Sequence, residues 1–140
     1  MKGFAYKFAS LLKENDVINL IGDMGAGKTT LTNFIAEYFN IKDSSSPTFS
    51  IVNIYEGEKT IYHLDLYRIE NPDELLEIDF ETYFYPDDAI TFIEWAENGG
   101  DFLPNDMINV EISKIDKDTR EIKILDDTKK GQEINEYFSN

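Results

Sequence analysis

The glycine-rich segment at positions 22–30 contains the residues best suited to chemistry. It has the sequence GDMGAGKTT, in which Gly22, Gly27, Lys28 and Thr29 fill the four fixed positions of the phosphate-binding pattern G-x-x-x-x-G-K-[ST]. A short apolar run precedes the segment and a helical pattern follows it, which is the context that this pattern requires. The segment therefore predicts a phosphate site between a strand and a helix.

The backbone of this loop is expected to cradle the phosphates of a nucleoside triphosphate. The small residues Gly25, Ala26 and Gly27 let successive N–H groups turn toward phosphate oxygens. The N-terminus of the following helix adds positive partial charge to the same place. A nucleoside triphosphate with Mg²⁺ is therefore the expected ligand pair.

The side chains at the end of the loop have separate expected tasks. Lys28 reaches the β- and γ-phosphates, the Thr29 hydroxyl binds Mg²⁺, and Thr30 contacts the α-phosphate. Asp23 is an anion in an anion site and is expected to point away from it. The alternative, a glycine-rich turn with a solvated lysine, is disfavoured by the flanking strand and helix patterns.

Two carboxylates end predicted strands and are candidates for metal and water chemistry, because ligands of open α/β sheets bind beyond the carboxyl ends of the strands. Asp65 ends the segment IYHLD and is expected to bind Mg²⁺, with a surface acid on an edge hairpin as the alternative. Glu94 follows the apolar run 89–93 and is expected to orient or deprotonate the attacking water. Its alternative is an ion pair with a nearby cation.

Four other residues near these positions each have two interpretations. Thr48, in a polar loop, either closes over the γ-phosphate through its hydroxyl or belongs to a plain turn. We count it with Lys28 and Glu94 as a catalytic candidate. Trp95 either packs in the core or stacks on the base, and is kept as a cofactor-binding candidate. His63 is interpreted as a satisfied structural histidine, and Arg68 as a partner for nearby acids rather than for transition-state charge.

The hydrophobic periodicity predicts the elements that must position these residues. Helical spacing over 4–12 precedes a buried strand at 17–21, and a second helical stripe covers 31–39. The remaining predicted elements are a hairpin of 49–55 and 60–67, a helix starting at Pro72, a strand over 89–95, an antiparallel pair of 107–115 and 120–125, and a short closing helix at 134–138. The order predicts an α/β P-loop NTPase domain over 1–140, with a central, mainly parallel sheet flanked by helices and an antiparallel edge hairpin.

Composition excludes several classes of function. The chain of 140 residues has 28 Asp and Glu against 13 Lys and Arg, and its net charge of −15 disfavours direct binding to nucleic acid. It has no Cys and one His, which excludes thiolate, Fe–S and multi-histidine metal sites. The N-terminal segment lacks the apolar core of a secretory signal, and no run is long enough to span a membrane, so a cytoplasmic location is expected.

Three kinds of nucleotide protein remain open: an ATPase, a nucleotide-dependent interaction module with negligible turnover, and a small P-loop kinase. No D-x-x-G follows Asp65, which disfavours a Ras-like GTPase. A small-molecule kinase usually needs a lid with several arginines, and this chain has only Arg68 and Arg120. The kinase is therefore the poorest fit of the three.

The chain resembles the tRNA threonylcarbamoyladenosine biosynthesis protein TsaE family from Asp16 to Leu125. The likeness is carried by four segments, which are 22–30, Ser46-Pro47-Thr48-Phe49, the run YHLDLYR at 62–68, and Ile93-Glu94-Trp95. Asn15 and Asp79 stand where this family often has Gly, which bears on turns rather than on chemistry.

The resemblance implies a small bacterial P-loop ATPase that hydrolyses ATP slowly and is required for N6-threonylcarbamoyladenosine modification of tRNA. It implies that Lys28, Thr29 and Asp65 serve the phosphates and Mg²⁺, that Thr48 lies in a switch-like loop, and that Glu94 and Trp95 form a catalytic strand-end motif. It also implies TsaD and TsaB subunits as partners, with tRNA reached only through their complex.

Overall fold

One mixed six-stranded sheet organises the chain, in the strand order β2-β3-β4-β1-β5-β6. The structure is a computed structural model that describes residues 1–42 and 51–139. Its strands are β1 (Val17–Ile21), β2 (Val52–Glu56), β3 (Thr60–Asp65), β4 (Ala89–Glu94), β5 (Ile108–Lys114) and β6 (Arg120–Ile124). Its helices are α1 (Lys2–Leu11), α2 (Lys28–Tyr38), α3 (Phe80–Phe84) and α4 (Lys129–Ser139), with 3₁₀ helices at Pro72–Glu77 and Ala96–Phe102.

The inner strands are parallel and each edge strand is antiparallel to its neighbour. β1 pairs in parallel with β4 and β5, and β3 pairs in parallel with β4. The predicted hairpin is the antiparallel pair β2–β3, and the predicted C-terminal pair is β5–β6. The predicted fold class is therefore confirmed, with an antiparallel pair at both edges of the sheet. The helix predicted at Pro72 is a short 3₁₀ helix.

The two faces of the sheet bury separate apolar clusters. Along β4, Ile90 and Phe92 pack with α1 and α2, whereas Ile93 packs in the second cluster with Leu64 and Phe84. Because side chains alternate along a strand, Glu94 continues the α2 side of β4. The carboxyl end of β4 therefore directs a glutamate toward the helix that starts at the glycine loop.

The same alternation holds along β3. Ile61 lies in the α1–α2 cluster, and His63 and Asp65 follow it at intervals of two. The parallel register sets Asp65 opposite Glu94. Three polar side chains of the prediction therefore lie on the face of the sheet that α2 covers.

Asn15 and Asp79, which stand where the family that the chain resembles often has Gly, both lie in turns. Asn15 has a φ of 83° and Asp79 a φ of 57°, both in the left-handed region that favours Gly. Asn and Asp are the other residues that adopt this conformation most readily. Asn15 and Asp79 can therefore adopt the same backbone conformation as the glycines that they replace. No helix in residues 1–42 or 51–139 has the length and apolar character needed to cross a bilayer.

Candidate nucleotide-binding site

The glycine loop folds as the phosphate-binding pattern requires. Gly27 is the N-cap residue of α2 with a φ of 115°, a conformation that a side chain would strain. A Cβ on Gly22 would lie 2.6 Å from the carbonyl oxygen of Ile112 on β5, so only glycine lets the loop leave β1 so close to its neighbour. The Ala26 N–H donates to the Asp23 carbonyl over 3.0 Å, which closes the turn.

A cavity of about 290 Å³ lies where the loop meets the carboxyl ends of β3 and β4. It brings together most of the predicted site residues. Its lining contains Met24, Gly25, Gly27, Lys28, Thr29, Thr30, Asp65, Tyr67, Glu94 and Trp95. Ala26 is buried behind the loop, and the exposed Asp23 lines a neighbouring cavity, as expected for an acid that points away. Thr48 lies outside the described residues.

Lys28 is buried at this cavity. Its side chain is 5% exposed, and Nζ donates to the carbonyl oxygen of Gly22 over 2.8 Å. Nζ also lies 4.1 Å from the centroid of the Trp95 ring, within cation–π range. The alternative of a solvated lysine is therefore wrong.

Lys28 lies at ion-pair distance from the buried carboxylate of Glu94, as the alternative interpretation of Glu94 expects. The Nζ atom is 4.0 Å from Oε1 of Glu94, which is beyond hydrogen-bond distance. An ammonium group has three donors, and within the described residues one of them is used, by Gly22. A buried cation with unused donors beside a glycine loop fits a phosphate group.

Glu94 is held by His63 on the neighbouring strand. Oε2 of Glu94 lies 2.6 Å from Nε2 of His63, and both side chains are buried. Nδ1 of His63 is buried without a hydrogen-bond partner in the described part of the chain. The interpretation of His63 as a satisfied structural histidine is therefore wrong in part, because one nitrogen is unsatisfied and the other contacts a site acid.

Asp65 and Trp95 complete the rim of the cavity. Asp65 is exposed, and its Oδ1 accepts a hydrogen bond from the Tyr67 N–H over 3.0 Å, which turns the chain after β3. The rings of Tyr67 and Trp95 lie 5.1 Å apart. Trp95 packs against the second apolar cluster, which supports its role in packing. Its φ of 58° is unusual for a bulky residue, and such strain is found most often at functional sites.

The two arginines of the chain differ in position. Arg68 is exposed and is not among the described residues that line the cavity, so its pairing with acids stays a prediction. Arg120 had no predicted role, yet its Nε donates to the carbonyl oxygen of Ala26 over 2.9 Å. Its place at the first residue of β6, directly after a polar turn, is the one signal that could have drawn attention to it.

Comparison with known proteins gives consistent results. A sequence model of the family described as Threonylcarbamoyl adenosine biosynthesis protein TsaE matches residues 1–122. The chain is 40% identical to the tRNA threonylcarbamoyladenosine biosynthesis protein TsaE of Haemophilus influenzae, in an alignment that covers 100% of this chain and 92% of that protein. It is 38% identical to the Bacillus subtilis protein of the same name, over 86% of this chain and 76% of that one.

The fold has a solved counterpart. The crystal structure of Bacillus subtilis YdiB superposes with a TM-score of 0.74 at 29% identity, and covers 99% of this chain and 88% of that one. The family match spans the glycine loop, the ends of β3 and β4, and the first residues of β6. The chain therefore belongs to the TsaE family of threonylcarbamoyl adenosine biosynthesis proteins.

Proposed function

We propose that this protein binds ATP with Mg²⁺ and hydrolyses it in the biosynthesis of threonylcarbamoyladenosine on tRNA. The observation that carries the proposal is the buried Lys28, which lies beside a glycine loop, uses one of its three donors within residues 1–42 and 51–139, and lies 4.0 Å from a carboxylate that His63 holds. This set of residues suits phosphoryl transfer to water, because its chemistry is mainly positioning and charge stabilisation.

The chain's own residues would bind the triphosphate. Gly25, Gly27 and the start of α2 line the cavity, where their backbone N–H groups would contact the phosphates, and Lys28 supplies a cation. The Thr30 side chain is at the rim, where it can contact the α-phosphate. Thr29 and Asp65 would hold Mg²⁺ beside the phosphates, where the ion would neutralise developing charge.

Glu94 is the proposed base for the attacking water. In the reaction the water oxygen bonds to the γ-phosphorus, the bond from that phosphorus to the bridging oxygen of ADP breaks, and Glu94 accepts the water's proton. His63 keeps one carboxylate oxygen in a hydrogen bond. The second oxygen, Oε1, is left on the Lys28 side, where the phosphates would lie.

The protein is proposed to act within an assembly that contains TsaD and TsaB subunits. The name shared by its relatives supports a place in this pathway, in which the modified molecule is tRNA. The net charge of −15 makes direct contact of the free protein with tRNA unfavourable, so tRNA would be reached through the partners. A role in tRNA modification fits a cytoplasmic location.

The primary test is phosphate release from Mg·ATP by the wild-type chain and by Lys28→Ala. We expect release by the variant to fall to the rate measured without protein, because no other Lys or Arg among the described residues lines the cavity. Lys59→Ala is the matched control, since Lys59 lies in the turn between β2 and β3 and pairs with Glu14. Equal release by wild type and Lys28→Ala would remove the proposed mechanism. Binding of ATP without single-turnover hydrolysis, with TsaD and TsaB present, would instead support a nucleotide-dependent interaction module.

A further inference from the structure

Arg120 joins the far edge of the sheet to the back of the phosphate loop. Its Nε donates to the carbonyl oxygen of Ala26 over 2.9 Å, a contact between residues 94 positions apart in the chain. Its Nη1 donates to the carbonyl oxygens of Asp116 over 3.1 Å and Thr119 over 3.3 Å. One guanidinium group thus binds three backbone carbonyls, one in the loop and two in the turn between β5 and β6.

The contact fixes the direction of one peptide group in the loop. The Ala26–Gly27 peptide is trans, as are all peptide bonds of the described residues. In a trans peptide the carbonyl of one residue and the N–H of the next point in opposite directions. Because the Ala26 oxygen is bound by Arg120, the Gly27 N–H points away from Arg120, and Gly27 lines the cavity whereas Ala26 does not.

Glycine on one side makes this peptide easier to rotate. A flip of the Ala26–Gly27 peptide changes ψ of Ala26 and φ of Gly27, and Gly27, whose φ is positive, has few conformational restrictions that would oppose the flip. A charged guanidinium forms a stronger hydrogen bond to a carbonyl than a neutral donor does. The two bonds to the β5–β6 turn hold the guanidinium in place, and the Ile115 N–H donates to Thr119 over 3.0 Å to close that turn.

We propose that Arg120 is a positioning residue for phosphate binding, which holds the Ala26–Gly27 peptide with its N–H toward the nucleotide. The inference rests on the proposed function, since the phosphates are those of the ATP described above. Arg120 acts through the loop backbone and not by contact with the substrate. Arg120 should therefore raise the affinity for the triphosphate group, and this effect should not depend on the base that is attached.

The test compares the dissociation constants of Mg·ATP and of inorganic tripolyphosphate for wild type and Arg120→Ala. We expect both constants to rise by the same factor of about ten, the scale for one charge-assisted hydrogen bond, while kcat changes little. Arg120→Lys should recover only part of the loss, because an ammonium cannot reproduce the fork that reaches loop and turn together. Lys123→Ala is the matched control, since Lys123 lies on the same strand, has the same charge and pairs with Glu121.

Two results would overturn the proposal. Unchanged constants for both ligands would remove any role in binding, and a loss for ATP alone would assign Arg120 to the base or ribose instead. A second measurement needs no nucleotide. The backbone ¹⁵N order parameter of Gly27 in the free protein should fall in Arg120→Ala and stay as in wild type in Lys123→Ala. Should the wild type bind neither ligand, the proposed function fails, whereas the Gly27 measurement still supports or overturns the positioning role.

Discussion

The two edges of the sheet are both antiparallel pairs, but their turns lie at opposite ends. The turn between β2 and β3 is far from the site, where the Glu58 N–H donates to the carbonyl of Phe39 at the end of α2. The turn between β5 and β6 is beside the phosphate loop, which Arg120 contacts at Ala26. Although both edges are antiparallel pairs, the β2–β3 pair therefore brings a strand end to the site, whereas the β5–β6 pair brings its turn there.

This difference determines what each edge can contribute. β3 runs toward the site and ends there, so its last residues place His63 and Asp65 beside the carboxylate of Glu94 on β4. β6 runs away from the site, so only its first residue, Arg120, comes near, and it contacts loop backbone. β3 and β4 therefore end at the site and carry the proposed reacting groups, whereas β6 starts behind the phosphate loop and contacts its backbone.

We therefore expect residues on the β3–β4 side to control the rate of ATP hydrolysis. Arg120 on the β6 side should control the affinity for the triphosphate group. The most severe test is Glu94→Gln, which removes the proposed base but keeps an acceptor for His63. We expect hydrolysis under single-turnover conditions to slow by about 10²- to 10⁴-fold. Binding of ATP should be retained, because Glu94 is not among the groups proposed to bind the phosphates.

Glu97→Gln is its control, since Glu97 is an exposed acid three residues further along the chain. Rapid-quench assays with ATP labelled at the γ-phosphate measure the chemical step directly. Equal rates for wild type and Glu94→Gln would show that Glu94 does not activate the water. They would also contradict the expectation that the β3–β4 side controls the rate.

The second change, Asp65→Asn, addresses the metal. Asp65 is exposed at the end of β3, and the loss of its charge should weaken Mg²⁺ binding with ATP by about 10- to 100-fold, the range for groups that support a bound metal. Activity titrated against Mg²⁺ measures this shift, and a high concentration of the ion should restore most of the rate. Asp88→Asn, at the opposite end of β4, makes the same charge change and should have no effect. A wild-type Mg²⁺ requirement in Asp65→Asn would contradict the assignment.

The third change tests whether His63 acts through Glu94. His63→Phe removes the partner of Oε2, and we expect kcat to fall about tenfold, or 1.4 kcal/mol, with little change in KM. His63→Gln can still donate to Glu94 and should recover part of the lost rate. If both variants lose the same fraction of activity, or if KM rises instead, His63 has only a packing role beside Tyr55.

Much of this site was predictable because its residues are close in sequence or follow a strand period. The glycine loop, Lys28 and the acids at 65 and 94 needed only local patterns, and the family resemblance is confirmed. Alternation placed His63 and Asp65 on one face. Asp65 is exposed and ends the second strand of the edge hairpin β2–β3, as the alternative of a surface acid on an edge hairpin expects, so its role in binding Mg²⁺ stays a prediction.

The contacts that were not predicted depend on pairings between distant segments. The hydrogen bond from His63 to Glu94 requires β3 to lie beside β4 in one register, and a slip of one residue would turn either side chain to the other face. The contact of Arg120 with Ala26 depends on where the β5–β6 turn ends. The role of Thr48 stays a prediction, since Thr48 lies outside the described residues.

The smallest expected effect concerns an acid on the β3 side that is remote from the cavity. Glu74 lies in the 3₁₀ helix Pro72–Glu77, and its carboxylate accepts the N–H groups of Asn71 and Glu70 over 2.9 and 2.8 Å. These hydrogen bonds lower the pKa of Glu74 below its usual value, the bond from Asn71 having the larger effect. A group whose pKa is lower in the folded chain stabilises it above the unfolded pKa, and this contribution is lost as the pH falls through the folded pKa.

Glu74→Gln keeps an acceptor for the capping box but removes the charge. Its free energy of unfolding in urea should therefore be slightly below that of wild type at neutral pH, and the difference should disappear as the pH falls through the lowered pKa of Glu74 in the folded chain. ATP hydrolysis should match wild type at neutral pH, since the helix does not reach the cavity. A rate effect as large as that of Asp65→Asn would mean that any lost acid on this side slows the enzyme. In that case the distinction between the two edges would reflect net charge rather than the position of the reacting groups.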